Sequence, residues 1–187
     1  MTQDILSRQG LPQDMQILLG DYPREAWPNH PNFARSIQNW LGAHQMFRDL
    51  AELVETETQV FLNKDREANA YAARLGRYGD LLIRNLHGHH SWEDHSYFPK
   101  LASADPRFEP GLDLLENDHV ELDKVLDDVT RCANRVIKLT HLDEAQAYDE
   151  AGELLTHAET TRAFLKRHLS DEEDLVVPIL LHHKMRG

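Results

Sequence analysis

The chain has 187 residues, of which 41% are hydrophobic and 28% are charged, and its formal net charge is −12. This composition is typical of one globular domain, and the acidic charge argues against nucleic acid or an anionic membrane surface as a partner. The sequence contains no apolar run of transmembrane length, no recognisable export signal and a single cysteine, Cys132. We therefore expect a cytoplasmic protein without a disulfide or a cysteine-based metal site.

The first 32 residues differ from the rest of the chain, because prolines interrupt them repeatedly. The four prolines are Pro12, Pro23, Pro28 and Pro31. Since proline stops helices, residues 1–32 predict an extended N-terminal arm with one short helical turn near residues 14–19. Two interpretations stay open: Tyr22, Trp27 and Phe33 pin this arm to the body, or the arm is a loosely ordered tail.

The remainder, residues 33–187, contains four long stretches in which apolar residues recur at alternating steps of three and four. They cover residues 33–63, 66–98, 109–139 and 143–180. This spacing is typical of amphipathic helices, and no stretch as long as a β-strand alternates β-branched apolar with polar residues. Short connections between long helices predict an all-α fold, an up-down-up-down four-helix bundle.

Six ionisable side chains occupy positions in these stripes where leucine would be expected. They are His44, His89, Glu93, His119, His168 and Glu172. Burying one such group unpaired costs about 2–7 kcal/mol, so six together would exceed the ~5–15 kcal/mol stability of a domain. A bound metal would satisfy all six at once, and histidine, of which the chain has 12, is the commonest metal ligand.

The spacing of these residues reveals an internal repeat. The segments HHSWEDHSYFP, from His89, and HLSDEEDLVVP, from His168, align without a gap. Each begins a His-x-x-x-Glu pair, which lies on one helix face, and each follows a helix with a single stripe histidine, His44 or His119. The chain is therefore predicted to be a duplicated helix pair, with all four histidines about 15 Å from the same end of the bundle.

Counting ligands predicts two metal ions. Four imidazoles and two carboxylates are too many for one tetrahedral site but suit a pair of ions, each with two histidines and both sharing the two glutamates. Two six-coordinate ions would keep roughly four open positions, some filled by a shared oxygen. The nitrogen and oxygen donors suit iron, manganese or zinc, and open positions indicate chemistry or ligand binding.

Some assignments have neighbouring rivals. His90 competes with His89, although the repeat favours His89, and Glu173 competes with Glu172. Asp94 and Asp171 are predicted to be exposed or to orient the imidazoles. Six further histidines are predicted to lie on the surface or in loops: His87, His95, His141, His157, His182 and His183. His30 belongs to the arm and is predicted to come within reach of the end of the bundle that holds the metal ligands.

The order His44, HHSWED–YFP, DHVELD and HLSDEED–VVP resembles the hemerythrin-like proteins of the HHE cation-binding family. The resemblance implies a four-helix bundle with two iron ions, joined by an oxo or hydroxo bridge, that meets O2, NO or peroxide. By position, the four histidines match the family's terminal ligands and the two glutamates its bridging carboxylates. Oxygen-carrying hemerythrins use a fifth histidine and one aspartate, so the pattern is more similar to a subgroup with four histidines and two glutamates.

The first functional prediction is a non-haem di-iron protein that binds or senses O2 or NO at open metal positions, with iron handling as a close variant. The alternative is a di-iron redox enzyme that reduces peroxide, NO or O2, with an undetermined redox partner. The resemblance also extends to proteins of iron–sulfur cluster repair, but these carry a cysteine-bearing N-terminal domain and the arm here has no cysteine. A metal-free scaffold is disfavoured by the six polar residues in the stripes.

Overall fold

The computed structural model describes residues 5–186, and every regular element in that range is helical. The long helices are α1 (Arg35–Leu62), α2 (Ala68–Trp92), α4 (Glu109–Leu142) and α5 (Glu144–His182), with a short α3 (Phe98–Ala104). The all-α prediction is confirmed, and the helices match the four predicted stretches to within a few residues. None of the helices in residues 5–186 has both the length and the apolar character needed to cross a bilayer.

The second predicted helix does not end at Phe98. It passes from α2 through one wide π turn, Glu93–Tyr97, into α3. The turn closes with a hydrogen bond from the N–H of Phe98 to the carbonyl of Glu93, a spacing of five residues. Pro99 follows directly and has no N–H to continue the α-helical pattern, which explains the change of register. Single π turns of this kind occur frequently at functional sites.

The chain divides into two compact units, each containing stretches of all four long helices. Within the described residues, the first unit takes in the chain up to Met46, His89–His119 and the chain from Lys166 onward. Its core includes Ile37 and Trp40 of α1, Leu115 of α4 and Ile179 of α5. This unit contains every residue predicted above to bind metal.

The second unit comprises Phe47–Gly88 and Val120–Leu165. Its core is an apolar cluster in which the ring of Phe61 stacks between Tyr71 and Tyr148, at centroid distances of 4.3 and 4.4 Å. Cys132 is buried in this cluster. The second unit is thus an ordinary hydrophobic core, stabilised by burial of apolar surface.

The described part of the arm, residues 5–32, belongs to the first unit and is packed rather than loose. It forms two short 3-10 turns, Gln13–Met15 and Arg24–Asn29. Leu11, Leu18 and Trp27 are buried in the core of the first unit. Of the three aromatic residues proposed to pin the arm, Trp27 lies in this core and Tyr22 and Phe33 pack against it. The boundary between an arm of residues 1–32 and a bundle of residues 33–187 stays a prediction.

Candidate metal centre

The six predicted ligands lie together in the first unit. His44 lies on α1, His89 near the end of α2, Glu93 at the start of the π turn and His119 on α4, while α5 carries His168 and Glu172. Five of the six are buried and His89 is half-buried. Their donor atoms fall into two clusters.

The first, here called the two-histidine cluster, consists of His44, His89, Glu93 and Glu172. One donor atom from each lies within 4.8 Å of the other three. The Nε2 atoms of His44 and His89 are 3.1 Å apart, and His89 Nε2 lies 2.9 Å from Glu93 Oε1. All four residues are thus placed to share one cation.

The second, here called the three-histidine cluster, consists of His90, His119 and His168, whose donor atoms meet the same 4.8 Å limit. The Nε2 atoms of His119 and His168 are 3.1 Å apart, and the ring of His90 stacks on that of His119 at 3.9 Å. The repeat favoured His89 over His90 as the donor from α2. The structure does not offer them as alternatives, because each imidazole belongs to a different cluster.

The two glutamates lie between the clusters. Glu172 Oε2 is 3.5 Å from His44 Nε2 and 3.7 Å from His168 Nε2. Glu93 reaches His89 through Oε1 and approaches His119 Nε2 through Oε2, at 3.9 Å. Each carboxylate therefore faces one histidine from each cluster, which is the arrangement a bridging ligand requires.

Several buried nitrogen and oxygen atoms at this site have no hydrogen-bond partner among the described residues. They are both ring nitrogens of His90, Oε2 of Glu93 and both carboxyl oxygens of Glu172. An unsatisfied buried polar group costs about 1–3 kcal/mol, so a concentration of them in one place demands an explanation. Nitrogen and oxygen donors that converge without partners fit a metal site, and this donor set suits iron.

Three carboxylates fix the orientation of the imidazoles through their Nδ1 atoms. Asp94 Oδ1 lies 2.7 Å from Nδ1 of His119, and Glu173 Oε1 lies 3.0 Å from Nδ1 of His44. Asp118 Oδ2 lies 3.3 Å from Nδ1 of His168. An imidazole that donates its Nδ1–H to a carboxylate presents an Nε2 lone pair, which is the donor a metal needs.

Two of these three contacts follow the internal repeat, and each of the two joins one half of the repeat to the other. Asp94 and Glu173 occupy equivalent positions, each directly after one of the two candidate bridging glutamates. Asp94 of the first half orients His119 of the second, and Glu173 of the second half orients His44 of the first. Glu173 thus contacts Nδ1 of His44 and lies outside both clusters, whereas Glu172 belongs to one of them. Asp171, by contrast, pairs with the arginines Arg8 and Arg167.

The electrostatics of the imidazoles also favour a cation. Burial lowers the pKa of His168 to about 4 despite its contact with Asp118, and burial lowers the pKa of His44 despite Glu173. His168 is therefore neutral at pH 7, and its Nε2 lies 3.1 Å from that of His119, whose Nδ1 faces Asp94. Without a metal, one of these two Nε2 atoms must carry the proton that the other accepts, whereas a cation between them would take a lone pair from each ring.

The two carboxyl groups differ in the same environment. Burial raises the pKa of Glu172 well above its ordinary value, and the negative charge of Glu93 raises it further. Burial also opposes ionisation of Glu93, but His89, His44 and His119 lower its pKa overall. The site therefore favours an ionised Glu93, and ionising Glu172 as well requires additional positive charge.

Aromatic rings enclose the two-histidine cluster. Trp40 donates from Nε1 to Oε1 of Glu93 at 2.7 Å, and its ring centroid lies 4.1 Å from that of His44. A cleft of about 330 Å³ reaches this side of the site, and its lining includes Asn39, Trp40, Ala43, His89, Trp92 and Tyr97. His89 is the one candidate ligand among the residues that line this cleft in the described chain.

The other histidines lie outside both clusters in the described chain. His87, His95, His141 and His182 are exposed, and His30, His157 and His183 are partly buried. His183 contacts Asp105, and His95 contacts the carbonyl of Ser91. These positions agree with the prediction of surface and loop residues.

Sequence reasoning missed three parts of the site: the role of His90, the orienting contact of Asp118 and the arginines of the arm described below. His90 aligns in the repeat with the apolar residue Leu169. Because the second half has no histidine at this position, the repeat gave no reason to place His90 in a metal-binding cluster. Asp118 directly precedes His119 but orients His168, from another helix, and no sequence spacing encodes that pairing. The doubled histidine at positions 89 and 90 was the available signal for His90.

Comparison with known proteins agrees with this geometry. The hemerythrin HHE cation-binding domain matches residues 35–180, which is most of the chain. A search of curated proteins and a search of solved structures each returned no significant match. The chain belongs to the hemerythrin HHE cation-binding family. The family and the histidine–glutamate clusters together define a metal-binding protein of the non-haem iron class.

Proposed function

We propose that this protein holds two iron ions, one in each cluster, and binds O2 or NO at an open position of the pair. Two observations carry the proposal. In each cluster a pair of imidazole Nε2 atoms lies 3.1 Å apart. Both pairs lie beside buried carboxyl oxygens that have no hydrogen-bond partner within residues 5–186. In this assignment Glu93 and Glu172 would each hold both ions. Bound ferrous iron would supply electrons to O2 and an open coordination position to NO.

The unequal number of imidazoles predicts where the ligand binds. His90, His119 and His168 with two bridging carboxylates nearly fill six positions, whereas His44 and His89 leave more of them open. The cleft reaches the two-histidine cluster beside His89. The cluster with more open coordination positions is therefore also the one that a ligand could reach from this cleft. His90 would also add a fifth imidazole, which oxygen-carrying hemerythrins use, although both carboxylates here are glutamates.

The surrounding side chains support binding of a small neutral molecule. Trp40 and Tyr97 are aromatic side chains that line the cleft, and the indole N–H of Trp40 holds Glu93 in place. Nδ1 contacts keep His44, His119 and His168 oriented, so ligand binding requires little rearrangement of the protein.

The test is iron loading under anaerobic conditions, followed by visible spectroscopy with O2, NO and then argon. We expect about two irons per chain and a spectral change with O2 or NO that argon reverses. His95→Ala, a change at an exposed histidine outside the clusters, should behave as the wild type. Iron-loaded protein whose spectrum responds to neither gas would refute ligand binding.

A redox enzyme is the second candidate, because a line of oxidisable rings connects the surface with the site. Trp92 is 42% exposed and stacks on Tyr97 at 4.5 Å. Tyr97 lies 6.1 Å from Trp40, which lies 4.1 Å from His44. Electrons from a one-electron donor could enter by this route. Consumption of many equivalents of peroxide or NO per chain, slowed by Trp92→Leu, would favour this candidate. Iron handling and iron–sulfur cluster repair stay predictions.

A further inference from the structure

The arm brings two arginines to the carboxylates that orient the candidate ligands. Arg8 precedes the first 3-10 turn, and Arg24 begins the second. Apolar burial of Leu11, Leu18 and Trp27 already attaches the arm to the first unit. The two guanidinium groups therefore call for a separate explanation, above all Arg8, because burying a charge is costly.

Arg8 is almost completely buried, with 1% of its side chain exposed. Its Nη2 donates to Asp118 Oδ2 at 2.5 Å and its Nη1 donates to Oδ1 at 3.3 Å, so the guanidinium grips that carboxylate with two bonds. Its Nε donates to Asp171 Oδ2 at 2.7 Å. Asp118 in turn contacts Nδ1 of His168 in the three-histidine cluster.

Arg24 makes the corresponding connection to the other cluster. Its Nη1 donates to Glu173 Oε2 at 2.7 Å, while Glu173 Oε1 lies 3.0 Å from Nδ1 of His44. Its Nε and Nη2 donate to Asp174 and to the carbonyl of Ser170. Each arm arginine is thus one carboxylate away from one histidine, and the two histidines belong to different clusters.

This connection has two physical consequences for a bound metal. A carboxylate held by a planar guanidinium keeps one orientation, so the imidazole it contacts keeps its Nε2 directed into the cluster. The positive charge also withdraws electron density from the carboxylate and makes the imidazole a weaker donor. Both the weaker donor and the nearby positive charge favour ferrous over ferric iron.

We propose that the N-terminal arm is part of the metal centre. Arg8 and Arg24 are positioning residues that act through Asp118 and Glu173 on His168 and His44, and they set how firmly the metal is held and its reduction potential. The proposal rests on the metal-binding part of the proposed function and not on the identity of the gas that binds.

The first experiment compares Arg8→Gln, Arg8→Lys and Arg24→Gln with wild type in the full chain. Arg74→Gln is the control, because Arg74 is a half-exposed arginine that pairs with Glu57 in the second unit. Proteins loaded with zinc or ferrous iron are mixed with a chelator, and metal release is followed over time. We expect about 10–100-fold faster release from Arg8→Gln, because losing the fixed orientation of the imidazole outweighs its gain in donor strength. We expect a smaller increase from Arg24→Gln and no change from the control.

The reduction potential of the iron-loaded proteins separates charge from packing. Losing the Arg8 charge should favour the ferric state about tenfold, which corresponds to about 59 mV lower for a one-electron step. Arg8→Lys keeps the charge but not the fork of donors, so it should retain most of the potential while releasing metal faster than wild type. A destabilised fold alone would produce no such separation.

A metal-free measurement completes the test. Nitrogen NMR of the imidazoles should find His168 protonated at Nδ1 in wild type and in Arg74→Gln, and a mixture of tautomers in Arg8→Gln. If Arg8→Gln folds poorly, Arg24→Gln and the tautomer of His44 give the same comparison at a more exposed arginine. Release rates, potentials and tautomers that match the control in both arm variants would overturn the proposal. Metal binding without any response to O2 or NO would refute only the gas-binding function.

Discussion

Replacing His90 by leucine tests the least expected feature of the candidate site. His90 is 4% exposed, and neither ring nitrogen has a hydrogen-bond partner in the described chain. Leucine has a similar volume, and it is the residue that the second half of the repeat has at the equivalent position, Leu169, which is fully buried. The change therefore removes two polar atoms and nearly keeps the side-chain volume, although it loses the ring stacking on His119.

The magnitude follows from those two atoms. An unsatisfied buried donor or acceptor costs about 1–3 kcal/mol, and a neutral imidazole has one of each. Burial and the neighbouring histidines His119 and His168 lower the pKa of His90 well below its usual range, so the neutral form is the relevant one. Allowing for imperfect fit of the new side chain, we expect metal-free His90→Leu to be about 2 kcal/mol more stable than wild type. For a chain of this size that raises Tm by about 4–8 °C.

The assay is thermal or denaturant unfolding with and without metal, together with metal analysis. Metal binding should reverse the order of stability, because His90→Leu loses a donor of the three-histidine cluster and wild type gains more from bound metal. His95→Leu, at an exposed histidine, should change neither quantity. A metal-free His90→Leu protein that is less stable than wild type, or one that binds two metals with unchanged affinity, would refute the reasoning.

Three further predictions concern neighbouring groups. Glu172→Gln should remove a bridging carboxylate and lower metal content by half or more, whereas Glu173→Gln should keep the metal but release it faster; equal metal loss by elemental analysis would argue against the assigned roles. Trp40→Phe keeps a ring but deletes the N–H donated to Glu93, and should cost about 1–3 kcal/mol of stability in denaturant titrations; no loss would mean that this bond contributes nothing. Burial, with Glu150 nearby, raises the pKa of Cys132 to about 12, so at pH 8 about one thiol in ten thousand is ionised. Thiol reagents should modify it about 1,000-fold more slowly in folded protein than in denaturant, and rapid labelling of folded protein would contradict the burial.

The sequence determined the helices and the paired candidate ligands within them, because both depend on local spacing. Apolar residues at steps of three and four predicted four helices, and His-x-x-x-Glu placed His89 with Glu93 and His168 with Glu172 on single helix faces. The high cost of burying such groups without partners was enough to predict a metal site. The family match over residues 35–180 agrees with this conclusion.

The tertiary structure decided what depends on the rotation and proximity of separate segments. Adjacent residues on a helix point about 100° apart, so only the packing of α2 and the π turn determines that His89 and His90 both face donors. The contacts of Asp118 with His168 and of Arg8 with Asp118 join residues 50 and 110 positions apart. Such pairings arise when apolar burial brings distant segments together, and no periodicity along one helix contains that information.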